Sequence, residues 1–399
     1  MVALIESAVV WLKLRYVAMT PDRDLGSGVN KKLVSQVSNL SSLGMDAKLV
    51  LIGIINSDGP YSDYIAAYPL RDITGRNIVM RVRRLWEMRR IFRNTIRFLG
   101  ASDILYLRGS APILSCPFNI IRCFRTCKLV IEHQTIEEKE LKLNNQSLEI
   151  WLDRLFGDFL RKQSDAIVCV TDEIAEYQLR NSGHFAKPHV TIGNGFEVAT
   201  VSMRRSPILQ SDEVHFLCVA MINPWHGLDR LLQGLATYNG TSKVILHIAG
   251  DGPELPRLRQ LTDDLGIVDR VIFHGFLSGR NLDALFDQCH VAVGSLGIHR
   301  IGLKEASILK AREYCARGIP FIYGISDPDF PVDFPYILYL PADESPIDIE
   351  GVLAFAKKVC GDPDHPQKMR RYAEEHLDWS VKMKTLKEFL ETMVGNNSA

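Results

Sequence analysis

The chain has 399 residues, and its 47 lysines and arginines are matched by 47 aspartates and glutamates, so the formal net charge is zero. That balance excludes a protein held to a polyanion by bulk charge, and a hydrophobic content of 46% excludes a disordered chain. The length fits about two to three domains, each able to bury its own core.

Cysteines stand at Cys116, Cys123, Cys127, Cys169, Cys218, Cys289, Cys315 and Cys360, with no CxxC pair among them. Most lie in apolar runs such as AIVCV and HFLCVAM, which predicts buried reduced thiols and a cytoplasmic location. The first residues contain Glu6 and no basic stretch, so no signal peptide is expected. No apolar run approaches the roughly 20 residues of a membrane span.

In chain order, short apolar strands alternate with amphipathic helices, the pattern of an α/β fold with parallel sheets. Lys13–Thr20 reads as a strand, followed by a turn with Asp24, Gly26 and Gly28 and a helix from about Lys31 to Leu43. Further strands are predicted at Ala47–Ile52, Ile104–Leu107, Leu129–Glu132, Ala166–Val170 and Val190–Ile192. A second series follows at Val214–Ala220, Val244–Ala249, Val271–Phe273, Val291–Gly294, Phe321–Tyr323 and Tyr336–Leu340. Between the two series, Glu197–Glu213 has little apolar periodicity and reads as a linker. In parallel sheets ligands sit at the carboxyl ends of strands, so the residues just after each strand are the candidates.

Three stretches stand out there. Gly26-Ser27-Gly28 opens a helix and leaves backbone N–H groups free for a phosphate or sugar, although on its own a tight turn is the better reading. Ala249-Gly250-Asp251-Gly252-Pro253-Glu254 suits a helix start better than a ligand site. The densest run is GIHRIGLKEASILKAREYCARGIP from Gly297 to Pro320. In it Glu305 and Glu313 bracket seven residues, on a helix predicted over Ala306–Ala316 with Gly318 as its stop. Arg300, Lys304, Lys310 and Arg312 add positive charge, which suits a ligand with both hydroxyls and phosphates, although as bare chemistry an ordinary charged helix face is the better reading.

Taken in order, these elements resemble the GT-B glycosyltransferases, specifically glycosyltransferase family 4 of the retaining, bacterial surface-polysaccharide type. The resemblance rests on Gly26–Gly28, DAIVCVTDEIAEY at 165–177, TIGNGFE at 191–197 and HIAGDGPELPRL at 247–258. It continues through HGFLS at 274–278, the paired glutamates followed by YCARGIPFI, and Trp379 in HLDWS. It implies two Rossmann-like α/β domains facing across a cleft. Their expected extents are an acceptor-binding domain over 1–196, a linker over 197–213, a nucleotide-sugar domain over 214–375, and a helix over 376–399 returning to the first domain.

The resemblance further implies roles. Glu313 would take ribose hydroxyls and Glu305 the donor sugar. Amides around Ser307, Ile308 and Leu309 would bind the diphosphate, His133 would contact the donor sugar, and Gly26 and Gly28 would approach the diphosphate. The chain departs from the family at the basic pair after the first strand of the second series, where Met221 and His226 stand. His226 can still donate one hydrogen bond, and Lys310, Arg312 or Arg300 is expected to supply the charge that a departing diphosphate needs. No metal and no cofactor is expected; the donor would be UDP- or GDP-linked, and the acceptor a glycan or lipid-linked hydroxyl. A GT-B nucleotide-sugar 2-epimerase and a non-catalytic nucleotide-binding partner subunit are the alternatives.

The segment Arg81–Arg97 carries seven arginines against one glutamate, a local charge of +6. Leu85, Met88, Phe92 and Leu99 recur at helical spacing beside Trp86, predicting an amphipathic helix. Such a helix either packs on the sheet with a solvated arginine face or lies on an anionic membrane at its inner face. Nucleic-acid binding is not expected, since no recognition fold accompanies the patch.

Overall fold

A computed structural model describes residues 12–20, 28–53, 65–69, 78–109, 126–143, 147–183, 185–205 and 213–395. The chain divides into two compact units, Met1–Ile192 with Lys382–Ala399, and Gly193–Val381.

The first unit is built on a parallel sheet of β1 (Lys13–Thr20), β2 (Asp46–Gly53), β3 (Ile65–Pro69), β4 (Ile104–Arg108), β5 (Lys128–His133), β6 (Ala166–Cys169) and β7 (His189–Thr191). The strand order is β3-β2-β1-β4-β5-β6-β7, so the direction of winding reverses between β1 and β4. Its helices are α1 (Gly28–Ser42), α2 (Ile78–Ile96), α3 (Glu137–Leu143), α4 (Ser147–Leu152), α5 (Asp158–Gln163) and α6 (Asp172–Ser182), with a π-helical turn over Asp153–Gly157. Because helices cover both faces of such a sheet, the strands are apolar throughout rather than alternating; β2 is buried from Leu49 to Gly53. On one face Val17, Val50, Leu105, Leu107, Leu129 and Ile131 pack with Met88, Ile91 and Phe92 of α2 and Leu160 of α5. Met88, Ile91 and Phe92 of α2 are therefore spent on the core, while Arg83, Arg89, Arg90 and Arg93 are exposed. α6 shows the local logic: the Thr171 side chain accepts the Ile174 N–H at its start, and Gly183 ends it at φ 67°.

The second unit repeats the plan with β8 (Glu213–Val219), β9 (Lys243–Ala249), β10 (Val271–Gly275), β11 (Val291–Val293), β12 (Phe321–Tyr323) and β13 (Ile337–Tyr339). The order β10-β9-β8-β11-β12-β13 is again all parallel and reverses between β8 and β11. Helices α7 (Leu228–Thr237), α8 (Leu255–Asp264), α9 (Gly279–Gln288), α10 (Leu309–Arg317), α11 (Ile349–Cys360) and α12 (His365–Tyr372) flank it, and α13 (Trp379–Gly395) closes the chain. The stretch read as a linker is tied down where it is described. Phe196 bridges Asp378, and buried Arg204 donates to the carbonyl of Gly318 at 2.9 Å and to that of Cys289. Cys169, Cys218, Cys289, Cys315 and Cys360 are free thiols and Cys127 is buried, while Cys116 and Cys123 lie outside the described residues.

One face of this sheet carries a row of imidazoles across adjacent strands. His215 Nδ1 is 2.8 Å from His247 Nε2, and His247 Nδ1 is 2.9 Å from His274 Nε2. The rings stack at 5.1 and 5.2 Å, and His290 stacks on His215 at 5.9 Å. His215 Nε2 lies 3.1 Å from a Glu213 oxygen. If that nitrogen donates to the carboxylate, His215 and His247 accept at Nδ1 from the Nε2–H of His247 and His274. Burial first, and neighbouring histidines second, push His247 down to about 4.

Candidate functional site

In the second unit the reversal between β8 and β11 brings two loops together at the carboxyl ends of the strands, the place where open α/β sheets bind ligands. The loop after β8 holds Met221 and His226, and the loop after β11 runs through Arg300 and Glu305 to α10. They are joined by backbone bonds from Leu296 N–H to the His226 carbonyl (3.0 Å) and from Gly297 N–H to the Trp225 carbonyl (3.2 Å). Gly227 makes this approach possible: it sits at φ 64°, and a Cβ there would fall 2.7 Å from the Gly297 nitrogen. The GDG turn is structural, as its helix-start reading requires. A Cβ on Gly250 would strike the Ala220 carbonyl at 1.8 Å, and Ile222 N–H donates to the Asp251 carbonyl at 2.7 Å.

The residues of the Gly297–Pro320 run divide into three groups. Arg312 belongs to the interior. It is fully buried, donates through Nε to the Asn194 carbonyl at 2.9 Å, and pairs with both Asp327 and Asp329. The expectation that it offers charge to a diphosphate is corrected: its donors are consumed by protein. Arg300 is likewise engaged, with 3.0 Å bonds to each Asp229 oxygen and a further pair with Glu344. Ser307 is buried, and its hydroxyl oxygen and carbonyl accept from Asn194 at 2.6 and 2.5 Å. α10 accordingly starts at Leu309, three residues later than predicted. The reason is that Glu305 bridges Ser326 and Ala306 N–H donates to the Ser326 carbonyl at 3.0 Å, which keeps this stretch extended up to Ile308. Gly318 ends the helix at φ 77°, as the sequence requires.

Lys310 differs from both arginines. It stands in the first turn of α10, beside the Leu309 and Lys310 amides, and its ammonium nitrogen is buried with no hydrogen-bond partner. Burial holds its pKa below the ordinary lysine value. It is close enough to His226 to act on it: burial first, then the Lys310 charge, push the imidazole down to about 2. His226 is therefore neutral, and because its Nδ1 accepts the Asn223 N–H at 3.0 Å, the proton sits on Nε2 as a donor. Met221 is 69% exposed at the end of β8. Glu313, about one turn into α10, accepts from Arg317 Nε at 2.8 Å through one carboxylate oxygen.

In the first unit His133 ends β5 and is fully buried. Its Nδ1 is 2.5 Å from Glu137, which also accepts from Gln178 at 2.7 Å. Burial raises the Glu137 carboxyl, but His133 and Arg161 outweigh it and hold the group below the usual carboxylate range. The other ring nitrogen, Nε2, is buried without a partner. Sequence reasoning passed over Glu137; its spacing of four from His133 was the available signal. Beside it, Glu132 gathers Tyr16, Lys32 and Gln134 into a buried polar group. Gly28 is the exposed first residue of α1, and Gly26 lies outside the described residues.

Residues 202–325 match the family model for glycosyl transferases group 1. The fold matches HepE from Anabaena in complex with UDP and glucose, with a TM-score of 0.67 at 13% identity, over 96% of this chain and 100% of that one. It matches sucrose-phosphate synthase from Thermosynechococcus elongatus, with a TM-score of 0.69 at 14% identity and the same coverage, 96% and 100%. The chain has the GT-B fold, and residues 202–325 match a glycosyltransferase domain. The lipopolysaccharide outer core galactosyltransferase WaaB in its apo form shares this fold with a TM-score of 0.63 at 15% identity, over 96% of this chain and 99% of that one. No curated protein matches the chain in sequence. Among the described residues, no helix is long and apolar enough to cross a membrane.

Proposed function

We propose that this chain is a glycosyltransferase that moves a hexose-type sugar, with retention, from a nucleoside diphosphate to an acceptor hydroxyl in polysaccharide or lipid-linked glycan assembly. The observation that carries this reading is the unpartnered ammonium of Lys310 in the first turn of α10, beside neutral His226. A departing diphosphate needs positive charge and oriented N–H groups, and Lys310, the opening amides of α10 and His226 Nε2–H supply both. Glu313 would take the ribose hydroxyls, Glu305 the donor sugar, and His133 Nε2 a sugar hydroxyl. The bond from the anomeric carbon to the diphosphate breaks as the acceptor oxygen bonds to that carbon. The acceptor proton passes to the leaving phosphate oxygen on the same face, so the step requires no dedicated carboxylate base. The reading assigns no metal or cofactor. UDP with glucose in HepE favours a UDP-linked donor. We assign the acceptor to a lipid-linked glycan, with the arginine face of α2 holding the enzyme to the anionic inner leaflet.

Calorimetry with UDP and GDP, followed by a nucleotide-sugar panel with and without acceptor, tests the reading. One nucleotide should bind, Glu313→Ala should weaken it strongly, and sugar transfer should require acceptor. Failure of both nucleotides at about millimolar concentration (a binding energy near 4 kcal/mol) would refute it. Epimerised sugar appearing without acceptor would mark a 2-epimerase instead.

A further inference from the structure

From Ser147 to Gln163 the chain runs helically through α4, the π turn and α5. Trp151, Leu155 and Phe159 lie along it at four-residue spacing, and they are 59%, 51% and 43% exposed. In a regular α-helix a line of residues four apart drifts by about 40° at each step. The wider π turn over Asp153–Gly157, between Trp151 and Phe159, winds less per residue and so works against that drift. The opposite side of the helix is fixed: Leu160 is in the core, and buried Arg161 pairs with buried Asp153 at 2.9 Å. The apolar line is therefore held outward by the fold and cannot roll inward without breaking a buried ion pair.

Leu160 shares its core cluster with Met88, Ile91 and Phe92, so this helix and α2 cover the same face of the sheet. The outer side of α2 carries exposed Arg83, Arg89, Arg90 and Arg93, with exposed Arg97 just after it, and Trp86 is 66% exposed with Arg89 over its ring at 5.8 Å. Exposed Arg154 and Lys162 flank the apolar line itself. Cations beside outward aromatic side chains match one kind of surface in both respects. Anionic headgroups take the charge, and the boundary between headgroups and acyl chains takes the rings.

We propose that Trp151, Leu155 and Phe159 form an apolar anchor that inserts into the interfacial layer of an anionic bilayer, next to the electrostatic contact of α2. This rests on the membrane assignment made for α2 and adds a second contact of different physical character. Charge contacts are screened by salt, whereas burial of apolar area is not, so the two separate experimentally.

The full-length protein is sedimented with vesicles of phosphatidylcholine alone or mixed with phosphatidylglycerol, at low salt and at about 0.5 M salt. Binding should require the anionic lipid, and a fraction should survive high salt. The W151S/L155S/F159S variant should lose that fraction and bind about tenfold more weakly, since one remaining signal gives only marginal attachment. The R89S/R90S/R93S variant should lose the salt-sensitive part. Brominated lipid should quench a fluorescence component that disappears in W151F. Circular dichroism checks that each variant is folded. A serine variant that binds like the parent at both salts overturns the anchor while leaving the α2 assignment intact. No binding of the parent to any vesicle overturns both, and light scattering that shows a dimer abolished by the serine variant assigns the line to a second copy of the chain.

Discussion

Replacing Lys310 by Met should stabilise the protein and weaken nucleotide binding at the same time. The ammonium is buried and has no hydrogen-bond partner, so in the free protein it is a net cost. That cost has a ceiling. Removing the proton from a lysine of ordinary pKa 10.5 at pH 7 takes about 5 kcal/mol, and the group never needs to exceed it. Met conserves most of the volume, so a gain of about 1–3 kcal/mol is expected. For a unit of this size that raises Tm by about 3–10 °C. Loss of a charge-assisted hydrogen bond to the diphosphate costs about 1.5–3 kcal/mol, or about 10- to 150-fold in affinity. The sign with pH follows from linkage. The free pKa is lowered and a bound anion raises it again, so binding takes up a proton and weakens as pH rises through that interval. Calorimetry in two buffers of different ionisation enthalpy measures the uptake, and scanning fluorimetry measures Tm. A lower Tm in K310M, or unchanged nucleotide affinity, would refute the reasoning.

The other predictions concern stability. Arg312→Met leaves Asp327 buried without its cation, so it should destabilise by about 3–5 kcal/mol in denaturant titration, whether or not nucleotide is present. Gly195→Ala places a Cβ 2.6 Å from the Trp379 ring and should cost about 1–3 kcal/mol, read as a lower denaturation midpoint. The imidazole row makes the second unit acid-sensitive. His247 and His290 fall from 6.5 to about 4 on folding, so the unfolded chain binds more protons, and stability is lost as pH drops from 6.5 toward 4. Tm measured across that range should fall less steeply in a His247→Gln variant.

Most of the fold was legible because parallel strands buried on both faces are written as apolar runs, and Val291–Gly294 or Phe321–Tyr323 allow little else. β3 was missed: Ile65–Pro69 is a short edge strand with two alanines and a proline, which weakens every local signal. At the site, the glutamate spacing and the stop at Gly318 are local facts and could be read. The fate of each cation could not, because it depends on partners distant in sequence. Arg312 finds Asp327, Arg300 finds Asp229 and Glu344, and Lys310 finds none. The start of α10 was misplaced for the same reason, since Ser326 and Asn194 hold the preceding residues extended. The line Trp151, Leu155, Phe159 has the spacing of a core stripe, and spacing alone does not say which side faces inward.

The seven residues between Glu305 and Glu313 have a consequence for the thermodynamics of binding. Ser307 is fixed by Asn194 and Arg312 by two aspartates, so folding alone sets the position of the first turn of α10. A loop that a ligand must order loses about 0.5–1.5 kcal/mol per immobilised side chain. Here that entropy is already gone in the free protein. A phosphate arriving at these amides would meet a rigid, preorganised mouth, and the affinity would depend on Lys310 and on solvent release rather than on induced closure of this segment.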